Sequence, residues 1–264
     1  MRILTYVINL DRSTDRLAAV SSAMQAQGIE FTRIRAVDGR QLSAEQLAAY
    51  DDTGARAYYG RSLRTSEIAC FLSHLKALSR FVESEAEYCM IFEDDARPCA
   101  GFLSHINNIL LLDRSGPILD GRWDVIHLGA DRLKSCSRLY RLEDGRDLVL
   151  AHYFPMRCVG LLWSRRGALR MLDSARSVHA PIDVHLRQRL GITQTGLAVW
   201  PASVAAAPGP SDIETAGKRS AEGRRRFYTL HRLKRNLRER ARASRAKISF
   251  QLRGAVPKES FRSL

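Results

Sequence analysis

The stretch CMIFEDDARP, residues 89–98, decides the fold. It begins with four apolar residues and then turns abruptly into three consecutive acids, Glu93, Asp94 and Asp95. A short apolar run of this kind is typical of a buried strand. Like charges repel one another at the edge of a low-dielectric core, where screening is weak, so we expect another group to compensate these acids.

Strands and helices alternate on both sides of this stretch. ILTYVINL (3–10) predicts a buried first strand, and IEFTRIRAVDGR (29–40) predicts a second strand that ends in an Asp-Gly turn. Further strands are predicted within residues 123–129 and 158–164. The alternation indicates an α/β fold, with a mostly parallel twisted sheet flanked by helices. Ligands bind such sheets at the carboxyl ends of strands, which is where residues 93–95 stand.

The positive charge of the chain is concentrated at its end. The 264 residues carry a net charge of +14, and residues 218–264 contain 16 Lys and Arg against 3 Glu. We therefore predict two units, a catalytic domain over residues 1–217 and a basic helical tail over residues 218–264. Residues 224–250 predict an amphipathic helix with one apolar face and mostly Arg on its other sides. That face carries Phe227, Leu230, Leu233, Leu237 and Ala241.

Two compositional features favour a cytoplasmic protein. No stretch approaches the ~18 unbroken apolar residues of a membrane-spanning helix, and no cleavage site follows the N-terminal apolar run. The five cysteines are irregularly spaced and form no CxxC pair. This pattern indicates neither a disulfide framework nor a zinc site.

The acidic triplet has three interpretations. The simplest is a solvated turn at a strand end. Mg²⁺ and Mn²⁺ are held by one or two carboxylates together with phosphate oxygens and water, so clustered acids also suit a metal–nucleotide complex. A glycosidase needs its two carboxylates roughly 5–10 Å apart across the scissile bond, which sequence neighbours do not easily provide. A metal and leaving-group role is the better physical match.

Seven motifs, in order over residues 3–205, resemble glycosyltransferase family 25, the lipooligosaccharide galactosyltransferase group. They are VINLDRSTDRL (7–17), AVDGR (36–40), SEIACFLSHLKAL (66–78), CMIFEDDARP (89–98), WDVIHLG (123–129), the stretch 159–172 and PID (181–183). Ser66 and Ala69 stand where the family usually has glycine. Neither change removes a candidate catalytic group.

The resemblance implies a GT-A type, Rossmann-like fold and an inverting transfer of a hexose. The donor would be a nucleotide-diphosphosugar, by preference UDP-galactose, and the acceptor a lipid-linked lipooligosaccharide or related glycan. The EDD triplet would replace the DxD motif common in such folds. Asp94 and Asp95 would then contact Mn²⁺ or Mg²⁺ and the diphosphate, with Glu93 beside them.

Other candidate donor contacts lie at strand ends and in a turn. Asn9, Asp11 and Arg12 close the first strand, where such folds commonly meet the base and ribose. Capping of the next helix explains these three residues equally well. Asp38 lies in the Asp-Gly turn, which turn chemistry alone explains. The resemblance favours a nucleotide contact there.

Two further carboxylates and one histidine complete the predicted site. Glu67 and His74 are seven residues apart on one predicted helix, so both face the acidic strand end. A hydrogen-bonded core histidine is the alternative for His74. Asp183 begins a helix, where the helix dipole favours an acid, but it is also our candidate base for the acceptor hydroxyl. Glu93 is the second candidate for that proton.

The basic tail also leaves alternatives open. It is a solvated extension, a helix lying on anionic lipid near a lipid-linked acceptor, or a nucleic-acid contact. No nucleic-acid-binding motif is present, so we favour a peripheral position on the inner face of the cytoplasmic membrane. The rival functions are a metal-dependent nucleotidyltransferase and a non-enzymatic basic nucleic-acid-binding module.

Overall fold

The computed structural model describes residues 2–116, 119, 121–208 and 228–253. Within these ranges the strands are β1 (Ile3–Asn9), β2 (Thr32–Arg35), β3 (Tyr88–Glu93), β4 (Ala96–Pro98), β5 (Val125–His127), β6 (Ser137–Arg141), β7 (Asp147–Leu150), β8 (Gly160–Ser164), β9 (Gly196–Trp200) and β10 (Val204–Ala206). The helices are α1 (Thr14–Gln25), α2 (Ala44–Ala48), α3 (Asp52–Tyr58), α4 (Thr65–Val82), α5 (Phe102–Ser115), α6 (Arg165–Ser174), α7 (Ile182–Thr193) and α8 (Tyr228–Leu252).

Eight of the described strands form one sheet, in the order β2-β1-β3-β8-β5-β9-β7-β6, while β4 and β10 form a separate antiparallel pair. β1 pairs in parallel with β2 and β3, and β5 pairs in parallel with β9. β8 and β7 run antiparallel to their neighbours. The other six strands therefore share one direction, and the mostly parallel α/β sheet predicted from the sequence is confirmed.

The central strand β3 is covered by helices on both faces. Cys89 and Ile91 belong to the core layer that contains α4, α6 and α7. Met90 and Phe92 point to the opposite layer, which contains α1 and α5. Because successive strand residues alternate between faces, a strand buried on both sides is apolar without interruption. This explains the apolar run before Glu93 and places the acids at the strand's carboxyl end.

The basic tail is helical where the structure describes it. α8 covers residues 228–252, whereas residues 218–227, including Phe227, and 254–264 lie outside the described ranges. Glu239 and Ala243 are buried against the body. Leu230 and Leu237, by contrast, are 50% and 56% exposed. The helix thus docks through its polar side and turns its leucines outward.

Among the described helices, none combines the length and the apolar composition needed to cross a membrane.

Candidate active site

A cleft opens where β1 and β3 end. Its first cavity, of about 480 Å³, lies between these strand ends, the Asp-Gly turn and the start of α4. Seven of the ten predicted site residues line it, namely Asn9, Arg12, Asp38, His74, Glu93, Asp94 and Asp95. The acidic triplet therefore lies at a cavity wall and is not splayed into open solvent.

A second cavity adjoins the first. It measures about 540 Å³ and shares Cys70, Glu93 and Asp95 with the first cavity. Two more predicted residues, Glu67 and Asp183, line only this second cavity. The acidic end of β3 thus lines both cavities at the place where they adjoin.

The protein itself compensates Asp94. Its side chain is buried, one carboxylate oxygen lies 2.6 Å from the Arg16 guanidinium, and the other accepts a hydrogen bond of 2.7 Å from Asn9. The sequence predicted Asp94 as a metal contact. Because both oxygens already have protein partners, the structure does not favour Asp94 as a cation ligand.

Asp95 has a different environment. Its Oδ1 atom is buried without a hydrogen-bond partner among the described residues, and Arg16 is 3.9 Å from its other oxygen. Burial, reinforced by the neighbouring Glu93, raises the pKa of Asp95 to about 6. An orphaned carboxylate oxygen beside a second acid is a donor set that suits a hard divalent cation. Asp95 and Glu93 therefore fit the Mn²⁺ or Mg²⁺ that the sequence predicts.

Glu93 also has neighbours on α4. His74 Nε2 lies 3.5 Å from Glu93 Oε1, and ligand atoms of Cys70, His74 and Glu93 all fall within 4.8 Å of one another. Burial raises the pKa of the Cys70 thiol well above its ordinary value. A protonated thiol is a poor metal ligand, so of these three cavity-lining residues Glu93 is the best match for a hard cation.

Asn9 joins three strands. Its amide donates to Asp94 and to the Ser13 carbonyl, and its side-chain oxygen accepts from Arg33 at 3.0 Å. It is 1% exposed. Asn9 therefore fixes the relative position of the ends of β1, β2 and β3 at the cavity.

Asp11 lines neither of these two cavities but a third one of about 400 Å³, which adjoins the first and shares Arg12 and Asp38 with it. Its carboxylate is bound by Arg33 at 2.6 Å and by Arg35 at 2.5 Å. The hydrogen bond from Arg33 is the largest cause that lowers the pKa of Asp11. Next to it in sequence, Arg12 does line the first cavity and pairs with Asp38.

The Asp38 turn is pinned against α4. Asp38 accepts a hydrogen bond from the backbone N–H of Arg40 as well as from the Arg12 side chain. A Cβ atom at Gly39 would lie 2.8 Å from both the Cα and N atoms of Ser66. Glycine is therefore needed for this close approach.

Glu67 forms part of the wall of the second cavity. Its two oxygens accept hydrogen bonds of 2.6 and 2.8 Å from Arg61, and the backbone N–H of Arg64 donates to it as well. Bidentate arginine–carboxylate pairs are the most directional ion pairs in proteins. Glu67 therefore faces the chamber in one fixed orientation.

Asp183 faces the same chamber from the first turn of α7. It accepts a hydrogen bond of 2.7 Å from the backbone N–H of Val184 and another from the backbone N–H of Arg157. Burial nevertheless raises the pKa of Asp183. Arg157 adopts a left-handed φ of 67°, which is uncommon for a residue other than glycine and concentrates at functional sites. A carboxylate with a raised pKa is a stronger base at neutral pH.

Two residues of the cleft were missed by sequence reasoning. Arg16 stands within VINLDRSTDRL, in the first turn of α1, which follows β1 after a short turn. Its place directly after the end of the first strand could have indicated it. Arg157 carries no local sequence signal, because its place depends on how the segment before β8 meets α7.

A mostly parallel α/β sheet with a polar two-chambered cleft at its carboxyl edge is typical of proteins that bind a phosphate-bearing or nucleotide ligand. Residues 3–186 match the family described as Glycosyltransferase family 25 (LPS biosynthesis protein). The chain belongs to this family.

Curated relatives carry related names. A "Glycosyltransferase 25 family member" of Drosophila pseudoobscura pseudoobscura is 30% identical over 63% of this chain and 26% of its own length. "Procollagen galactosyltransferase 1" of Danio rerio is 32% identical, over 63% of this chain and 28% of its own length. "Procollagen galactosyltransferase 2" of Mus musculus is 33% identical, with corresponding shares of 64% and 27%. The chain spans about a quarter of the length of these relatives.

Among solved structures, the galactosyltransferase LgtC in complex with donor and acceptor sugar analogs overlaps with 87% of this chain and 95% of its own. The TM-score is 0.41 at 13% identity. A197 from STIV overlaps with 77% of this chain and 83% of its own, with a TM-score of 0.43 at 13% identity. At these low TM-scores and identities, neither structure supports a conclusion about function.

Proposed function

We propose that this protein is an inverting hexosyltransferase of the GT-A type that moves galactose from UDP-galactose to a hydroxyl of a lipooligosaccharide or related glycan. One observation carries the proposal: Glu93 and Asp95 line both cavities, and Asp183 lines the second one with them. A group transfer needs this arrangement, with a donor chamber and an acceptor chamber that meet at the reacting atoms. Membership of family 25 and the galactosyltransferase names of relatives support it.

In this proposal the first cavity holds the nucleotide diphosphate. Arg12, Arg16 and Arg40 line it and supply positive charge for phosphate oxygens. Asp95 and Glu93 would hold Mn²⁺ or Mg²⁺, which when bound stabilises negative charge on the departing diphosphate. The orphaned Oδ1 of Asp95 supports this assignment.

The second cavity holds the acceptor. Asp183 takes the proton of the attacking hydroxyl, for which its raised pKa is favourable. The hydroxyl oxygen then bonds to the anomeric carbon as the bond to the diphosphate breaks. Attack from the face opposite the leaving group inverts the stereochemistry in one step.

The test is donor turnover by the full-length protein with UDP-galactose and Mn²⁺. We expect free UDP, not pyrophosphate, as the nucleotide product. Asp95→Asn should abolish the Mn²⁺-dependent turnover, and Asp183→Asn should abolish transfer to the acceptor. Asp173→Asn is the matched control, because Asp173 is 72% exposed on α6. Near-parental turnover in Asp95→Asn would contradict the cation site, and pyrophosphate release would favour a nucleotidyltransferase.

We also propose that α8 holds the enzyme on the anionic inner face of the cytoplasmic membrane, beside a lipid-linked acceptor. Leu230, Leu233 and Leu237 are 50%, 53% and 56% exposed and lie along one helical face. Exposed basic residues, among them Arg232, Lys234 and Arg238, flank this leucine stripe. Outward leucines between cationic side chains match the boundary between anionic headgroups and acyl chains.

Vesicle sedimentation tests the membrane proposal. The paired change Leu233→Asp and Leu237→Asp should release the protein from phosphatidylglycerol-containing vesicles. Leu169→Asp, at a site on α6 that is 52% exposed, should not. Equal sedimentation of the two variants would contradict the proposal. Salt-sensitive retardation of RNA or DNA without any vesicle binding would indicate the nucleic-acid alternative.

A further inference from the structure

A largely buried arginine side chain, that of Arg235, joins α8 to the body. The side chain of Arg235 is 10% exposed. Its guanidinium carbon lies 4.9 Å from the ring centre of Tyr59 and 5.6 Å from that of Tyr58. Its Nη1 atom also donates to the Tyr59 carbonyl at 3.4 Å. Arg235 therefore holds both the ring and the backbone of Tyr59.

The contact has a second polar member. Glu239, one turn further along α8, is 7% exposed and accepts a hydrogen bond of 2.9 Å from the Tyr58 hydroxyl. It also lies 4.0 Å from Arg235. A buried charge is costly unless it is paired and hydrogen-bonded, so α8 is held in the register that satisfies both groups.

Tyr59 connects this contact to the cleft. It lines the second cavity, and the guanidinium of Arg61 lies 4.7 Å from the centre of its ring. Arg61 in turn holds both oxygens of Glu67, which lines the same cavity. A continuous series of contacts therefore runs from Arg235 through Tyr59 and Arg61 to Glu67.

We propose that Arg235 is a positioning residue for the acceptor side of the cleft, acting through Tyr59. No described residue of α8 lines either cavity, so its influence on the site passes through the residues that it holds. This inference rests on the proposed function for what the second cavity binds. The first cavity has none of these contacts in its wall, so donor binding is independent of Arg235.

The test compares Arg235→Ala with Arg238→Ala, a change at an exposed arginine of the same helix. The acceptor probe is deacylated lipooligosaccharide, which keeps membrane binding out of the assay. Arg235→Ala should raise the KM for this probe about fivefold, as expected for the loss of one cation–π contact. UDP-galactose hydrolysis by water should stay within about twofold, because no bound acceptor is required. The KM of Arg235→Lys should lie between those of the parental protein and Arg235→Ala, since lysine keeps the positive charge but lacks the planar guanidinium group.

Hydrogen–deuterium exchange supplies a readout that needs no activity. In Arg235→Ala, amides of residues 58–64 should exchange faster than in Arg238→Ala, while those of residues 88–95 stay unchanged. Equal exchange and equal KM in the two variants would overturn the inference. Faster exchange throughout both segments would also overturn it, by showing a general loss of stability. If the parental protein releases no UDP, the proposed function fails, and the exchange pattern alone decides the role of Arg235.

Discussion

The guanidinium of Arg16 lies 2.6 Å from one oxygen of Asp94, while Asn9 occupies the other oxygen at 2.7 Å. The positive charge of Arg16 thus compensates one acid of the triplet. Asp95, the next residue, keeps a buried oxygen without a partner among the described side chains. Neighbouring carboxylates therefore differ: Asp94 joins α1 to the sheet, and Asp95 is the one that we propose as a cation ligand.

Asp94→Asn should lower the free energy of unfolding by about 2 kcal/mol, because it weakens a buried charged pair and leaves Arg16 undercompensated. Urea denaturation measures this loss. The control is Asp173→Asn, whose ion pair with Arg176 joins side chains 72% and 83% exposed. Exposed pairs contribute little, so the control should change stability by less than about 1 kcal/mol. Equal losses would contradict the role of Asp94.

Asp95→Asn should stabilise the cation-free protein. The pKa of Asp95 is raised from 3.8 to about 6, so the folded state holds this proton more tightly than the unfolded state does. Stability is therefore lost as pH rises through this window, and at pH 7 a neutral Asn should recover about 1–2 kcal/mol. Thermal unfolding without metal measures the gain. Added Mn²⁺ should then raise the Tm of the parental protein and leave that of the variant unchanged.

Asp183 should set the acidic limb of the pH–rate profile. A base must be deprotonated to accept the acceptor's proton, so kcat/KM should rise with pH through the pKa of Asp183. Burial raises that pKa above its ordinary value of 3.8, and the limb should shift in the same direction. In Asp183→Asn the acidic limb should disappear. The rate should fall about 10²-fold or more, which is the usual contribution of a general base. A limb that persists in Asp183→Asn would assign the base to another group.

His185 should make the fold sensitive to acid. It is 5% exposed, packs against Phe71 and His179, and neither ring nitrogen finds a hydrogen-bond partner in the described part of the chain. Burial, with contributions from His179 and Arg189, lowers its pKa from 6.5 to about 4. The unfolded chain therefore binds the proton first, and stability falls as pH drops from about 6.5 towards 4.

For His185 alone this loss is up to about 3 kcal/mol, at about 1.4 kcal/mol per pKa unit. The replacement His185→Leu should flatten the dependence of Tm on pH. It should not abolish that dependence, because burial lowers the pKa of His127 to about 4 as well. An unchanged slope in His185→Leu would show that His185 is protonated or solvated in the folded protein.

Gly39→Ala should disturb the donor side of the cleft. The added methyl group would lie 2.8 Å from the backbone of Ser66, closer than packed atoms tolerate. The turn must therefore move away from α4, at a cost of about 1–3 kcal/mol. We expect weaker UDP binding by calorimetry with an unchanged KM for the acceptor. Gly145→Ala is a useful comparison, because an added Cβ there meets nothing within 4 Å, although its φ of 83° is itself unfavourable for alanine.

Much of the architecture was readable from the sequence. The apolar residues 89–92 followed by acids identified a covered strand and the edge where a ligand binds, and seven of ten predicted residues line the first cavity. Local patterns carry such information, because periodicity reports which face of an element is buried. The sequence could not show that Asp94 is paired while Asp95 keeps an unpartnered oxygen, since this difference depends on the position of Arg16 in the folded structure.

The docking side of α8 was also beyond sequence reasoning. An apolar stripe ordinarily marks the face that a helix turns to the core. Here Tyr58 and Tyr59 offer rings and a hydroxyl that suit Arg235 and Glu239, so the polar side faces inward. Partners more than 170 positions apart in the chain leave no local pattern to read.

In the described part of the chain, every residue that lines the first cavity lies between Ile8 and Asp95, whereas the far wall of the second cavity comes mainly from residues 156–184. Residues 156–158 and 181–184 line the second cavity and not the first, while the rest of its wall comes mainly from the earlier stretch. Under the proposed function, an exchange of residues 156–184 between relatives should alter which acceptor is used, while the nucleotide pocket is inherited unchanged.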